Sequence, residues 1–545
     1  MKDLEQVVIR FSGDSGDGMQ LTGTQFSTTS ALMGNDFSTF PDFPAEIRAP
    51  AGTVAGVSGF QVHIGSTAIN TPGDEPDVLV AMNPAALKAN LSSLRKGGTV
   101  ILNEDAFTER NFQKAGYESS PLNTPMMEQY KVIEAKITGQ TLEALKDMDL
   151  DNKSKERCKN FYALGMTYFM FGRDLKPTEE WINNKFAKKP ILVESNVIAL
   201  KAGYNFAETI EATISSYKVE PAKIEPGKYR HINGNAATAW GFMQASQACG
   251  RDLFLGSYPI TPASDILHEL SKFKHLGVKT FQAEDEIAGV CSAIGASFGG
   301  ALALTTSSGP GIALKGEALG LAMIYEMPLV VVNVQRGGPS TGLPTKTEQS
   351  DLNLTMFGRN GESPVIVVAA SSPSDCFHMA YEASRLAMEH MTPAVLLTDG
   401  YIANGTEPWK IPDLKNYSKI KTRMVDGKLP EGEAFRAYDR DDALARVWAI
   451  PGMKGYEHRL GGLEKADGTG NVSYDPDNHE KMCRIREEKV ANVANNIPEQ
   501  EVEGTQEGDV LVISWGGTYG ATHTAVRKLN EEGHKVGLAL SLIHI

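Results

Sequence analysis

The chain is predicted to be a multidomain α/β protein built on doubly wound parallel sheets. Three observations carry the prediction. Apolar runs rich in Val, Ile and Leu, as at residues 4–11, 329–334 and 535–542, alternate with stretches of helical periodicity, the pattern of strands joined through helices. Several of these runs end on turns rich in Gly, Pro, Ser or Thr. A parallel strand delivers its carboxyl end there, and open sheets bind ligands at that edge. The length, 545 residues, suffices for about three or four domains.

Composition narrows the function classes. Hydrophobic residues make up 41% and charged residues 22% of the chain, ordinary for a globular protein. A formal charge of −14 and a pI near 5.4 speak against nucleic-acid binding and against an anionic membrane surface. No apolar stretch reaches the roughly 18 residues of a membrane span, and residues 1–11 enter a strand without the apolar core of a signal peptide. Cys158, Cys249, Cys291, Cys376 and Cys483 lie far apart, with no Cys-x-x-Cys spacing. No iron–sulfur or zinc knot, and no metal ligand set, is therefore expected of this chain. Scattered thiols fit a reducing cytoplasm better than a disulfide scaffold.

The elements follow in order. Residues 4–11 form a buried strand, Gly13-Asp14-Ser15-Gly16-Asp17-Gly18 a turn, and Met19 to about Met33 a helix. This succession points backbone N–H groups at an anion, so Gly16 and Gly18 are candidate anion contacts; the plainer reading is a tight βα turn. Gly16-Asp17-Gly18 also invites a thiamine-diphosphate magnesium site, but that motif needs an asparagine pair further on, and Asn35-Asp36 comes too soon. Within the Pro- and Gly-rich stretch 40–59, Arg48 is either a solvated loop charge or an anion contact. Strands at 60–64, 78–82 and 99–102 and helices at 85–94, 160–171, 178–188 and 195–204 complete a first domain, 1–210. Residues 211–232 read as a linker.

A second domain, 233–404, opens with a helix to about Cys249. The next strand ends in Tyr258-Pro259-Ile260-Thr261-Pro262, whose prolines fix the backbone around Thr261 and aim its hydroxyl. A strand to Gln282 leads into Glu284-Asp285-Glu286 and a helix of small residues reaching Gly300, which must lie very close to a neighbour. After the turn Gly309-Pro310-Gly311 and a helix at 315–325, residues 329–334 read as a buried parallel strand, followed by the loop from Arg336 to Thr345. Residues 405–505, too many for a plain loop, read as a long covering linker. Residues 506–545 form a βαβ unit, which cannot bury both sheet faces alone, so the domain it begins is expected to continue.

The chemistry centres on Glu286. A carboxylate heading a helix is a favourable dipole partner. Thiamine-diphosphate enzymes also keep a glutamate in this arrangement, where it bonds the aminopyrimidine ring nitrogen and helps to form the ylid. Glu284 is the second choice, and repulsion within the acid cluster would raise one pKa. Arg336 suits either a structural ion pair or bidentate capture of a substrate carboxylate. Thr261, Thr341 and Thr345 are ordinary turn residues or hydroxyl donors, and lying on separate strand-end loops they can converge on one pocket.

Residues 258–265, 282–300 and 334–351 resemble the α subunit of 2-oxoacid:ferredoxin oxidoreductases. Residues 12–23 resemble the γ domain of that family, here fused in front. Residues 448–452, Glu457-His458-Arg459-Leu460-Gly461-Gly462-Leu463-Glu464 and residues 471–476 are similar to its 2-oxoglutarate branch. The resemblance covers essentially the whole chain. It implies an N-terminal γ-type α/β domain, a thiamine-diphosphate pyrimidine-type domain and the start of a transketolase C-terminal-like α/β domain. The implied reaction converts 2-oxoglutarate and coenzyme A to succinyl-CoA and CO₂ with electrons to ferredoxin, or runs reductively. Thiamine diphosphate would be shared with a β subunit carrying Mg²⁺ and a [4Fe–4S] cluster, in an (αβ)₂ heterotetramer. Glu286 matches the aminopyrimidine glutamate, with Pro259 and Ile260 beside the cofactor. Thr261 matches the substrate threonine, and Arg336, Thr341 and Thr345 match the 2-oxoacid loop. Arg48 matches the γ domain's basic loop residue only loosely, and contact of Gly16 and Gly18 with coenzyme A is left open. The alternatives are a pyruvate or branched 2-oxoacid substrate, or a non-catalytic scaffold subunit.

Overall fold

The computed structural model describes residues 2–44, 49–210, 216–425, 429 and 432–541; Arg48 lies outside them. The chain divides into two compact units, Met1–His231 with Gly405–Lys410 and Ile232–Asn404 with Ile411–Ile545. Among the described residues no helix is long and apolar enough to cross a membrane.

The first unit is built on six strands, β1 Gln6–Asp14, β2 Asp36–Asp42, β3 Val57–Gly65, β4 Val78–Ala81, β5 Thr99–Asn103 and β6 Lys131–Ala135. Their order in the sheet is β2-β3-β1-β4-β5-β6. β1, β4, β5 and β6 run parallel, whereas β3 is antiparallel to both β1 and β2. β2 is missing from the sequence reading because its run holds Pro41. It lies at the sheet edge, where a proline costs no ladder hydrogen bond. Helices α1 Met19–Leu32, α2 Lys159–Met170 and α3 Pro190–Thr209 share with the sheet an aromatic core that includes Phe11, Phe26, Phe37, Tyr162 and Tyr168.

The second unit carries an all-parallel sheet of β7 Leu253–Ser257, β8 Val278–Gln282, β9 Leu302–Ser307, β10 Leu329–Gln335, β11 Ile366–Ala369 and β12 Pro393–Asp399. The order is β8-β7-β9-β10-β12-β11. Every residue of β10 is buried, which explains its run of valines. The helices α4 Gly234–Cys249, α5 Glu286–Phe298, α6 Gly309–Leu314, α7 Gly316–Tyr325 and α8 Asp375–His390 complete the layers. Val290 and Ala293 of α5 and Leu319 and Ala322 of α7 share one core with Val331, Val367 and Val395 of the sheet. A Cβ on Gly289 would stand 3.2 Å from Ser257 Cα, so the small residues of α5 answer to a close helix–strand approach. Because all six strands run the same way, their carboxyl ends share one edge.

Residues 411–505 contain the helix α9 Pro476–Ala491 and a polar–aromatic core of their own: Tyr438, Arg446, Trp448, Lys465 and Lys489 are each under 2% exposed. The anchor is Glu326, just beyond α7, ion-paired with both Arg440 and Lys489. Burial acts to raise its carboxyl, but the two cations bring it down to about 2. Lys489 is one of two cations facing a single anion, and burial pushes it down to about 8. Beyond this segment β13 Val510–Trp515 and β14 Val536–Ser541 pair in parallel across α10 Tyr519–Glu531. The unit is tied on where Gln349 Nε2 donates to the Trp515 carbonyl at 2.9 Å.

Candidate active site

The four stretches singled out from the sequence all emerge from the shared carboxyl edge of the second unit's sheet. Residues 258–263 leave β7, residues 283–285 connect β8 to α5, Ser308 connects β9 to α6, and Arg336 leaves β10. Asn235 Nδ2 holds the first turn by donating to the Pro262 carbonyl at 3.0 Å. Thr261 is exposed, and Pro259 and Ile260 are half-buried on the same turn.

The acid cluster is resolved by burial. Glu284 is exposed; Asp285 caps α5, its Oδ1 accepting the Ala288 N–H at 2.7 Å; only Glu286 turns inward, 9% exposed. Its side chain lies across Gly311, where an added Cβ would meet Ser307 Oγ at 2.0 Å, Glu286 Cγ at 2.9 Å and Glu286 Oε1 at 3.2 Å. Among the described residues the Glu286 carboxylate accepts no hydrogen bond. With no protein donor bonded to it, this carboxylate keeps its acceptor capacity for a ligand. This donor-seeking oxygen fits the protonated ring nitrogen of an aminopyrimidine.

Lys315, which the sequence reading passed over, supports Glu286 from behind. It is 1% exposed and its Nζ donates to Thr305 Oγ1 at 2.7 Å and to the Glu286 carbonyl at 3.2 Å. Burial pushes its pKa down to about 8 against the pull of Glu286 and Asp285. The available signal was a lone lysine between a Gly-Pro-Gly turn and an apolar helix. More polar atoms lack partners along this edge: Ser307 Oγ, Ser308 Oγ, Asn333 Oδ1 and Thr398 Oγ1 are all buried without a hydrogen bond among the described residues.

Arg336 is 5% exposed. Its Nη1 donates to the Thr261 carbonyl at 2.8 Å and its Nη2 to the Thr341 carbonyl at 2.9 Å, so one guanidinium joins two of the predicted loops. Its Nε is buried and without a partner among the described residues. Burial pushes the guanidinium below its usual range, opposed by Glu286. Thr341 is exposed and Thr345 half-buried.

In the first unit, the turn after β1 closes on itself. Asp17 Oδ2 accepts the Asp14 N–H at 2.8 Å, Gly52 N–H reaches Asp14 Oδ1 at 3.0 Å, and Lys159 pairs with Asp17 at 3.0 Å. Gly18 has φ +74°, where a side chain would also strike Asn160; Gly16 faces open space. Burial raises the Asp14 carboxyl, so the inner side of this turn carries carboxylates and its open side lies at Gly16.

Residues 247–474 match the family described as pyruvate flavodoxin/ferredoxin oxidoreductase, thiamine diphosphate-binding. Residues 8–206 match pyruvate ferredoxin/flavodoxin oxidoreductase. Fold and site are those of a subunit of a thiamine-dependent oxidoreductase. The 2-oxoglutarate oxidoreductase subunit KorA of Mycobacterium tuberculosis is 54% identical over 538 residues, 98% of this chain and 82% of that protein. The 2-oxoacid:ferredoxin oxidoreductase 1, subunit alpha, of Aeropyrum pernix is 28% identical over 97% of this chain and 85% of its own length. The solved 2-oxoglutarate:ferredoxin oxidoreductase from Magnetococcus marinus, with 2-oxoglutarate, coenzyme A and succinyl-CoA bound, matches at a TM-score of 0.84 and 31% identity. That match covers 99% of this chain and 88% of the other. The chain belongs to the 2-oxoacid:ferredoxin oxidoreductase family, as an α-type subunit.

Proposed function

We propose that this chain is the α subunit of a 2-oxoglutarate:ferredoxin oxidoreductase, acting on 2-oxoglutarate and coenzyme A to give succinyl-CoA and CO₂ with electrons to ferredoxin. The observation that carries the reading is the inward, unpartnered carboxylate of Glu286 at the carboxyl edge of a parallel sheet. Thiamine diphosphate, when bound, supplies the nucleophilic carbon that attacks a 2-oxo group. Glu286 shares the proton at the aminopyrimidine ring nitrogen, with Pro259 and Ile260 forming the adjoining wall. Arg336 fixes the two loops that carry Thr261, Thr341 and Thr345, and these groups orient the 2-oxoacid. In the same proposal Gly16 and Gly18 contact coenzyme A, and Arg48, outside the described residues, remains the candidate basic residue of that loop. A β subunit holds Mg²⁺, the diphosphate and a [4Fe–4S] cluster, and the assembly is a cytoplasmic (αβ)₂ heterotetramer. The division into a γ-type domain at 1–210, a pyrimidine-type domain at 233–404 and a third domain beginning at 506 also belongs to it. The test is Glu286→Gln in the reconstituted complex. Turnover with 2-oxoglutarate falls by about 100-fold or more, the scale of a lost proton-transfer partner, while the complex still assembles. Undiminished turnover overturns the role, and a higher kcat/KM for pyruvate overturns the substrate.

A further inference from the structure

Far along the chain from the Glu286 edge, three side chains of metal-ligand type converge. His479 and Cys483 lie four residues apart on α9, on one helix face, and Glu464 reaches them from the preceding loop. One donor atom from each lies within 4.8 Å of the others. His479 Nδ1 is 2.7 Å from Glu464 Oε2 and 3.9 Å from Cys483 Sγ. In a tetrahedral zinc site a nitrogen and a sulfur ligand stand about 3.5 Å apart, from bond lengths of roughly 2.0 and 2.3 Å. The nitrogen–sulfur spacing thus needs to close by a few tenths of an ångström and the nitrogen–oxygen spacing to open by about half an ångström to reach a tetrahedral sphere.

The site is held from outside. Asn478 Nδ2 donates to the Lys465 carbonyl at 2.8 Å and its Oδ1 accepts the Asp467 N–H at 3.0 Å, fastening the Glu464 loop to α9. Arg486, 5% exposed, donates to Glu464 Oε2 at 3.1 Å and to Cys483 Sγ at 3.3 Å. The Arg486 charge opposes a cation, while its hydrogen bonds to two ligands orient them, as outer-shell partners do. Two cavities, of about 850 and 340 Å³, both open on His479; Cys483 lines the larger and Glu464 the smaller.

We propose that Glu464, His479 and Cys483 bind one divalent metal ion of the zinc class, with the fourth position facing the cavities and taken by water. A thiolate with an imidazole selects zinc-like ions over magnesium or calcium. On binding, the metal takes the place of the proton on His479 Nδ1, which passes to Nε2 so that the imidazole stays neutral, and the Cys483 thiol releases one proton to solvent. Sequence spacing conceals the set because no two of the cysteines are neighbours and the third ligand is a loop glutamate.

The full chain, stripped with chelator and titrated with cobalt(II), tests it. One equivalent gives a thiolate-to-cobalt charge-transfer band, displaced by one equivalent of zinc(II). The band is lost in Cys483→Ser and retained in Cys291→Ser, whose thiol is exposed elsewhere. His479→Ala weakens cobalt binding at least about tenfold. Zinc raises the melting temperature of the parent chain and leaves that of Cys483→Ser unmoved. Absence of the band, or its persistence in Cys483→Ser, overturns the proposal.

Discussion

Within residues 284–286, sequence alone leaves Glu284 a rival of Glu286, because both flank the first turn of one helix. Burial separates them: the phase of α5 turns Glu286 inward and leaves Glu284 in solvent. Lys315 shows the converse limit, since a lysine near a helix start reads as solvated until the fold closes over it. Its protonation yields a prediction with a definite sign. The folded value is about 8 against an ordinary 10.5. Between those limits the unfolded chain holds a proton the folded chain has released, so this lysine makes stability rise with pH across the window. Denaturant midpoints measured from pH 7 to 10.5 should rise less steeply in Lys315→Met than in the parent. At pH 7 the variant also leaves the Thr305 hydroxyl and the Glu286 carbonyl without a donor, each a loss of about 1–3 kcal/mol. Part of that loss is offset by removing a buried charge. An unchanged slope would mean that Lys315 is not buried as described.

At the scale of elements, legibility follows burial on both faces. β10 reads directly from residues 329–334 because a strand buried on both faces carries a mostly apolar run. β2 does not read, because an edge strand tolerates Pro41 and shows little pattern. The small-residue helix α5 reads as closely packed, yet only part of it is: a Cβ on Gly295 would meet nothing within 4 Å. Gly311→Ala and Gly295→Ala form a matched pair. The first inserts a methyl between Ser307 and Glu286, so it should cost about 1–3 kcal/mol of overpacking and lower turnover by displacing the carboxylate. The second should be neutral or raise stability by up to about 1 kcal/mol through helix propensity. Equal turnover in both variants would deny that Gly311 makes room for Glu286. Residues 411–505 gave little sequence signal because their core is polar and aromatic, centred on Glu326. Glu326→Gln leaves Lys489 without an ion-pair partner and Arg440 with Asp467 alone, and should cost about 3–5 kcal/mol. In limited proteolysis it should open cleavage sites in 411–505 while the parent resists; equal resistance would show that this anchor is dispensable.

At the scale of the whole molecule, the α/β class follows from strand–helix alternation. The shared carboxyl edge follows from all six strands of the second unit being parallel. Sequence spacing could not show how Arg336 joins Thr261 to Thr341 across that edge, because Thr261 lies 75 positions before Arg336. Under the proposed function, Glu286 is the acidic side of a pocket that a second subunit completes. The most direct measurement is a solved structure of this chain assembled with its β subunit and thiamine diphosphate. The account predicts a Glu286 carboxylate oxygen within hydrogen-bond distance of the aminopyrimidine ring nitrogen, with Thr261 and the Arg336 loop lining the substrate side of the thiazolium. A ring nitrogen bonded elsewhere, or a Glu286 side chain turned away from the cofactor, would contradict it.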